Sequence, residues 1–591
     1  MQSYLQYKRL GRAVKEQLER DKEKALARTI SATIEIPRPL SAAHIAPPSD
    51  SDEEEEGVTQ YTNINRPRFS LTQTPTRDEK NNDHLNPLRS AWTRYSQRTA
   101  LGYALDGIHP RERTTQEGKG SKIFLVGWES AEDPLDPHNY SKATRMSTTF
   151  IVGLIAFVVG AASSIDVAIL PQASADFGVS DVVESMATGL YLAGFAFGAV
   201  FAGPFSETFG RNAIYIVTMV LYMIFIMASG LAPNIGAQLT FRFIAGFFGS
   251  TPLTCAGGSI SDLWNQLEKT YAFALYAIAG FGGPVLGPVI GSYVGNGNIG
   301  SWRWTEYLTL IMSGLVLGLV ILFQIETYPP LLLKWKAEHL RRLTGDDRFC
   351  AEIEITSMTL WVRLNMSMKR PFLMMGEPII ILMALYLTVL YIVLFTFLDG
   401  YTYIFQETYG ISQGLTNIVF VGIFVGIAMS AFLVPFVLRK TKQEFAKNDL
   451  ERGNRIHPEI RLWYGMLGGS FAIPASLLWM GWTDYASVSI WSPIMASVLF
   501  GYGLICIFMS AYMYIIDAYE IYAASALTFT TFTRYLVAGG MTIVGIPFYK
   551  NVGTHWTLTI MACISALLVP IPFVLFKWGH RIRERSKYAV A

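Results

Sequence analysis

Twelve apolar segments, divided six and six by a charged loop, constrain this chain more than any other feature. The first runs from Ser147 to Leu170, about 24 residues with the single charge Asp166. A helix rises about 1.5 Å per residue, so such a segment crosses a hydrocarbon core of about 30 Å. The predicted spans are residues 147–170, 184–203, 213–232, 238–261, 270–294, 304–325, 377–398, 415–437, 462–482, 488–516, 519–546 and 556–577. No soluble fold needs twelve of them. The chain is 51% hydrophobic and only 16% charged, against about 25% charged for soluble domains. The expected class is an all-α membrane protein.

The flanking segments set the domain plan. Residues 1–146 form a polar N-terminal tail, expected to be cytosolic and largely disordered. Within it, residues 4–28 have the pattern of a short basic helix with Tyr7, Leu10, Val14 and Leu18 on one side. A proline-punctuated stretch from Pro37 to Pro48 precedes the acidic run Ser49 to Glu56. Ser49 and Ser51 there read either as a solvated linker or as acid-directed phosphorylation sites. The N-terminus lacks an apolar signal-peptide core. Residues 147–325 form a first bundle, 326–376 a cytosolic central loop, 377–577 a second bundle and 578–591 a short cytosolic tail. Loops on one side carry 22 Lys and Arg, against only Arg303 and Lys550 on the other. The richer side is expected to be cytosolic, with both termini inside. Asn139 and Asn365 begin Asn-X-Ser triplets on that inner side, so outer-loop glycosylation is not expected. The four cysteines, Cys255, Cys350, Cys506 and Cys563, place no pair in an outer loop, and no structural disulfide is expected.

Three motifs carry chemistry. After the second span comes Gly203-Pro-Phe-Ser-Glu-Thr-Phe-Gly-Arg211. Gly203 and Gly210 permit a tight turn, and Glu207 and Arg211 put opposite charges at the ends of neighbouring helices. The alternative is an ordinary loop whose Arg obeys the positive-inside rule. Arg242 lies inside the fourth span, where an arginine costs roughly 2.5–3.5 kcal/mol on insertion scales. It must face a wet cavity or a partner, or else snorkel to the outer interface. The fifth span contains Gly283-Pro-Val-Leu-Gly-Pro-Val-Ile-Gly291. Gly283, Gly287 and Gly291 make a flat groove, or a close-packing face, and Pro288 frees a backbone carbonyl. Trp302-Arg-Trp-Thr-Glu-Tyr307 reads as an interfacial belt. Asp166 reads as the one carboxylate well inside the first six spans, and an intramembrane carboxylate is a functional candidate.

The Gly-X-X-X-Glu-X-X-Gly-Arg loop resembles the major facilitator superfamily, with Glu207 where the wider superfamily prefers Asp. Arg242-X-X-X-Gly246 is similar to the superfamily's second motif, linked to proton transfer, and the fifth-span motif to that of the antiporter branches, with Ser292 replacing a final Gly. Ser261-Asp262-Leu-Trp264, Glu326-Thr-Tyr-Pro329, Phe405-Gln-Glu-Thr-Tyr-Gly410, Tyr514-Ile-Ile-Asp-Ala-Tyr519 and Ser525-Ala526 with Arg534 resemble the fungal twelve-span drug:proton antiporters, over about residues 128–587.

The resemblance implies a major facilitator fold, two six-helix bundles around a midplane cavity. It puts the first, fourth, seventh and tenth spans around that cavity, with Asp166, Arg242, Tyr391, Phe395, Tyr502 and Tyr512 as cavity-side candidates, each Tyr or Phe equally open to simple packing. Asp166 and Arg242 are the proton-coupling candidates. Glu207, Arg211 and Asp262 should form a cytosolic latch, with Glu207 near the start of the eleventh span. The implied activity is secondary active export of small amphipathic compounds, such as drugs, toxins, secondary metabolites or polyamines, by proton antiport at the plasma membrane. Nutrient uptake by proton symport is the alternative, and a non-transporting receptor a third. No nucleotide-binding Gly-X-X-X-X-Gly-Lys-Ser/Thr occurs, and no metal or hydrolase constellation. No enzyme activity, cofactor, metal or nucleic-acid partner is expected. The expected partners are a small molecule, protons and lipid, and the chain is expected to be a monomer.

Overall fold

The computed structural model describes residues 2–34, 108–112, 122–295, 301–355, 360–448 and 457–589. The Pro37–Pro48 stretch and the acidic run with Ser49 and Ser51 lie outside the described residues. The chain divides into two compact units, Met1–Arg9 with Glu132–Leu332 and Ile353–Ala591, and Leu10–Ala131 with Leu333–Glu352.

The smaller unit is built from polar segments. Its N-terminal helix, Gln2–Ile34, extends the predicted 4–28, and Leu10, Val14 and Leu18 on its apolar side are buried. A Cβ on Gly11 would lie 2.7 Å from the His339 ring, so a larger residue there would have to displace that side chain. Strand β1 (Ile108–Glu112) pairs antiparallel with β2 (Lys122–Val126), and β2 pairs in parallel with β3 (Phe349–Cys350). The register sets Phe124 opposite Phe349, with ring centroids 5.3 Å apart. The N-terminal region, expected to be a largely disordered tail, thus contributes a 33-residue helix and two strands, the second paired with the central loop. Neither alternation nor a turn signal is strong enough in strands this short to announce the pairing.

The larger unit is the helical bundle. Among the described residues nine helices are long and apolar enough to cross a membrane. The other three predicted spans are helical but depart from that form for separate reasons. The fourth is divided at Ser250 into Ile235–Gly249 and Thr251–Leu263. The ninth is regular only over Ser470–Thr483, after an irregular turn with Gly468 at φ +98°. The eleventh, Ala523–Val552, is continuous but carries Thr528, Thr530, Thr531, Thr533 and Arg534. The first span is also broken. Its helix, Lys142–Ala162, stops at Ser163, and a tight turn, Ile165–Ile169, leads into Leu170–Phe177.

Helices pair first with fifth, second with fourth, second with eleventh, seventh with eleventh and eighth with tenth. The glycine row of the fifth span (Lys269–Gly295) explains the first of these pairs. A Cβ on Gly287 would lie 2.6 Å from the Ala161 carbonyl, and one on Gly291 2.7 Å from the Ile165 carbonyl. Gly283 faces the Phe157 carbonyl in the same way. The row is a packing face, filled by the backbone of the first span, and not a groove open to a ligand. Pro288 has no N–H for the Pro284 carbonyl, and Ser164 Oγ donates to that carbonyl instead at 2.6 Å.

Gly287→Val is therefore expected to force the two helices apart and to destabilise the bundle by about 1–3 kcal/mol, the usual range for overpacking. Gly318→Ala, in the sixth span, has nothing within 4 Å of the added Cβ and is expected to be neutral. Thermal unfolding of both purified variants in detergent checks this; equal midpoints would refute the packing role of the row.

Candidate functional site

The break in the first span creates a charged centre. Because the helix ends at Ala162, the Ala162 carbonyl has lost its backbone partner, and it accepts from Arg242 Nη1 at 2.8 Å. The turn that follows carries Asp166 inward to Arg242 Nη2, with which it forms an ion pair. Glu306 Oε1 reaches the same Nη2 at 2.6 Å and also accepts from Ser229 Oγ at 2.9 Å. Arg242 and Glu306 are fully buried and Asp166 is 4% exposed. Arg242 therefore has partners and does not snorkel. Among the described residues Asp166 Oδ1 and Glu306 Oε2 have no hydrogen-bond partner. Glu184, buried in the second span, accepts from Gln238 at 3.1 Å. Asp166 is thus not alone among the first six spans: Glu306 and Glu184 are buried carboxylates too. Both sit in the first turn of their helices, where sequence places a residue at a water interface. The only signal for Glu306 was the unpaired Arg242 itself, which needs more countercharge than one aspartate in a dry interior.

A narrow cavity of about 30 Å³, room for a water or two, lies between the two halves. Tyr391 and Phe395 line it, with Ser163, Phe281, Phe508, Arg534 and Tyr535. Tyr512 stands behind this wall, its ring 5.0 Å from the Arg534 guanidinium and its hydroxyl bonded to Thr531. Tyr502 does not line the cavity; it donates to the Leu467 carbonyl at 3.0 Å, beside the irregular turn of the ninth span. Position along the tenth span could not separate the two tyrosines, since the distinction depends on which face the ninth span covers. Both ends of the cavity are bridged. At one end Gln413 Nε2 donates to the Ala168 carbonyl at 2.6 Å. At the Lys- and Arg-rich end Arg461 donates to Thr270 Oγ1 at 2.6 Å and to the Gln266 carbonyl at 2.8 Å.

The loop motif at that end is arranged differently from the expected turn. The second span continues as helix through Gly203 and Pro204 to Phe209, and Gly210 alone makes the turn, at φ +93°. A Cβ on Gly210 would also lie 2.6 Å from Glu326 Oε2, so the position excludes any other residue twice over. Arg211 Nε donates to Asp262 Oδ2 at 3.2 Å and its Nη1 to Ser206 Oγ at 2.6 Å. Glu207 has no ion pair among the described residues; it shares a polar cleft with Gly203, Ser525 and Thr528, at the start of the eleventh span. The carboxylate that closes the motif is Glu326. It accepts from the backbone N–H groups of Arg211 at 2.9 Å and Asn212 at 3.1 Å, at the N-terminus of the third helix (Arg211–Gly230). Burial pushes the Glu326 carboxyl up, and the N–H donors of Tyr328, Arg211 and Asn212 oppose that. Sequence spacing could not pair residues 115 positions apart.

A second arginine–aspartate pair was also hidden. Arg461, fully buried at the entry to the ninth span, donates through Nε to Asp517 Oδ2 at 2.6 Å, at the end of the tenth. This repeats, in the second half, the Arg211–Asp262 pair between the third and fourth spans. Among the described residues no group of His, Cys, Asp and Glu has the geometry to hold a metal ion.

Residues 152–542 match the family model of the Major Facilitator Superfamily. The chain is 50% identical over 467 residues to the MFS-type transporter kojT of Aspergillus flavus, covering 79% of this chain and 82% of the relative. It is 34% identical over 476 residues to the MFS-type efflux pump MFS2 of Trichophyton rubrum, covering 80% and 79%. Among solved structures, the proton:xylose symporter XylE bound to 6-bromo-6-deoxy-D-glucose superposes with a TM-score of 0.53 at 13% identity, over 74% of this chain and 96% of the other, a likeness of fold alone. The chain belongs to the Major Facilitator Superfamily and is a multi-pass membrane transporter.

Proposed function

We propose that this transporter exports small amphipathic compounds in exchange for protons, at the plasma membrane and with both termini cytosolic. The observation that carries the proton coupling is the buried trio Asp166, Arg242 and Glu306, one cation against two carboxylates. With both carboxylates ionised the trio is negative; one proton makes it neutral while Arg242 stays charged. Asp166 Oδ1 and Glu306 Oε2 are the oxygens free to take it. Glu184, Tyr191 and Tyr222 are the other titratable groups close to the trio. The trio is joined to the cavity through the first span, where Ser163 lines the wall and Asp166 follows three positions on. Proton entry releases roughly 2.3 kcal/mol per 100 mV for each charge moved.

The direction of transport rests on the resemblance of the Gly283–Gly291 motif to antiporters and on the named activity of the Trichophyton relative. Uptake of a nutrient is the reading this opposes. Arg211, Asp262 and Glu326 brace the ends of the second, third, fourth and sixth spans within one half, and the Arg461 bonds to Thr270 and the Gln266 carbonyl cross to the other half and must break for the Lys- and Arg-rich end to admit substrate.

Asp166→Asn is expected to abolish pH-gradient-driven transport in vesicles while leaving counterflow exchange of substrate without a gradient. Unchanged driven transport would remove Asp166 from coupling. Arg211→Ala is expected to keep surface expression and to cut transport at least about tenfold, the loss expected for one buried charge-assisted contact. Near-normal transport would reduce the loop to a topology signal. Deletion of the protein is expected to raise cellular accumulation of a toxic amphipathic compound, with a protonophore abolishing the difference. Reduced uptake of a nutrient with unaltered tolerance would instead favour symport.

A further inference from the structure

Six arginines are among the buried side chains of the bundle: Arg145, Arg211, Arg242, Arg461, Arg534 and Arg583. Five are paired with carboxylates: Arg145 with Glu268, Arg211 with Asp262, Arg242 with Asp166 and Glu306, Arg461 with Asp517, and Arg583 with Glu459. Arg534 is not. It is 1% exposed, and no carboxylate lies within ion-pair distance of it among the described residues. Its Nε and Nη1 make no hydrogen bond of good geometry among the described residues, although the Tyr512 and Tyr535 hydroxyls lie beside the guanidinium. It is also the charged side chain in the wall of the central cavity. Aromatic rings surround the guanidinium: Tyr391 at 4.6 Å, Tyr535 at 4.7 Å, Tyr512 at 5.0 Å and Phe508 at 5.5 Å.

Cation–π contacts stabilise a buried guanidinium in part but leave its N–H donors unmet. Those donors are arranged as a fork that matches two oxygens held in one plane. An uncompensated buried charge is retained at a large stability cost, and a binding site is where such a cost has a return. A cationic ligand would have to enter against this charge. A neutral one can accept from the fork but would leave its charge uncompensated.

We infer that the central cavity, once the halves separate and widen it, takes a planar organic monoanion, a carboxylate or acidic enolate on an aromatic or heteroaromatic ring, with its oxygens on the Arg534 guanidinium and its ring against Tyr391, Phe508 and Tyr535. This rests on the reading of the cavity as the transport site. It narrows that reading to acidic compounds and sets polyamines aside. Arg534 is a binding residue here and has no part in moving the proton.

The test is binding to the purified full-length transporter in detergent, measured by calorimetry with a panel of planar monoanions, salicylate and 2-naphthoate among them. Each is paired with its neutral carboxamide, and spermidine stands as the cation. At least one anion is expected to bind about tenfold more tightly than its amide, the value of a charge-assisted hydrogen bond. Arg534→Gln is expected to erase that preference, and Arg534→Lys to keep part of it. A thermal-unfolding midpoint for each variant separates lost binding from lost folding, and the anion-against-amide comparison in the unaltered protein needs no variant. The inference is overturned if no anion outbinds its amide, if spermidine binds as well as the best anion, or if the preference survives in a folded Arg534→Gln protein. Vesicle transport separates the two readings. Arg534-dependent anion binding without proton-driven transport overturns the export reading alone. Driven transport of neutral or cationic compounds, without anion preference, overturns this inference alone.

Discussion

Arg242 cannot be left unpaired in a dry interior, and much of the first half is organised around that constraint. Its guanidinium needs a carbonyl and two carboxylates, supplied by the broken first span and the sixth. The carbonyl exists only because the first helix stops at Ala162. The stop is held open by Ser163 and Ser164, whose hydroxyls bond the Gly160 and Pro284 carbonyls. The Pro284 carbonyl is available in turn because Pro288 brings no N–H. Ser164 reaches it because Gly283, Gly287 and Gly291 let the fifth helix lie against the backbone of the first. Charge pairing, helix break, proline and glycine row form one connected arrangement, in which each feature requires the next.

The Lys- and Arg-rich end obeys the same constraint with a different outcome. Arg211 and Arg461 occupy matching places, each at the entry to one span and each bonded to an aspartate at the exit of the next. Their remaining donors diverge. Arg211 turns back to Ser206 and sits in a shell closed by Glu326, all within the first half. Arg461 reaches Thr270 and the Gln266 carbonyl, across to that half. Of the two, only the Arg461 bonds must break for the halves to separate at this end. The Arg211 cluster instead stiffens the junction of the second, third and sixth spans, so that they can move as a body.

What was legible in the sequence follows from what a helix pattern encodes. Apolar length located the nine helices of membrane-crossing length found among the described residues, because every backbone polar group in lipid must be satisfied within its own helix. The intramembrane Arg242 and Asp166 stood out because such residues are expensive. Facing relations were less accessible. Glu306 looked interfacial beside Trp302 and Arg303, and only the fold turns it towards Arg242. The resemblance puts both Tyr502 and Tyr512 on the cavity side, yet one bonds the backbone of the ninth span and the other backs Arg534. Gly203 and Gly210 look equivalent in a motif, but only Gly210 has a positive φ. Arg461 was counted as one more loop cation, since its burial depends on residues nearly two hundred positions away. The twofold repeat of arginine and aspartate could have exposed it, had the ends of the fourth and tenth spans been aligned on Asp262 and Asp517.

The placement of charge across the two halves bears on how coupling could work. The trio with its two carboxylates belongs wholly to the first half, and Arg534, in the cavity wall, to the second. On the proposed reading, proton and anionic substrate therefore occupy different groups and need not displace one another by direct competition. Their signals meet in the first span. A proton on Asp166 weakens its hold on Arg242 at the break after Ala162, and the same span presents Gly160 and Ser163 to the cavity that Arg534 lines. The broken helix is then the element both ligands bias. Exchange follows if its two arrangements favour an empty cavity with a protonated trio and a filled cavity with an ionised one. Opposite preferences would give symport from the same residues, so the direction of coupling lies in the geometry of that break and not in the identity of the charges.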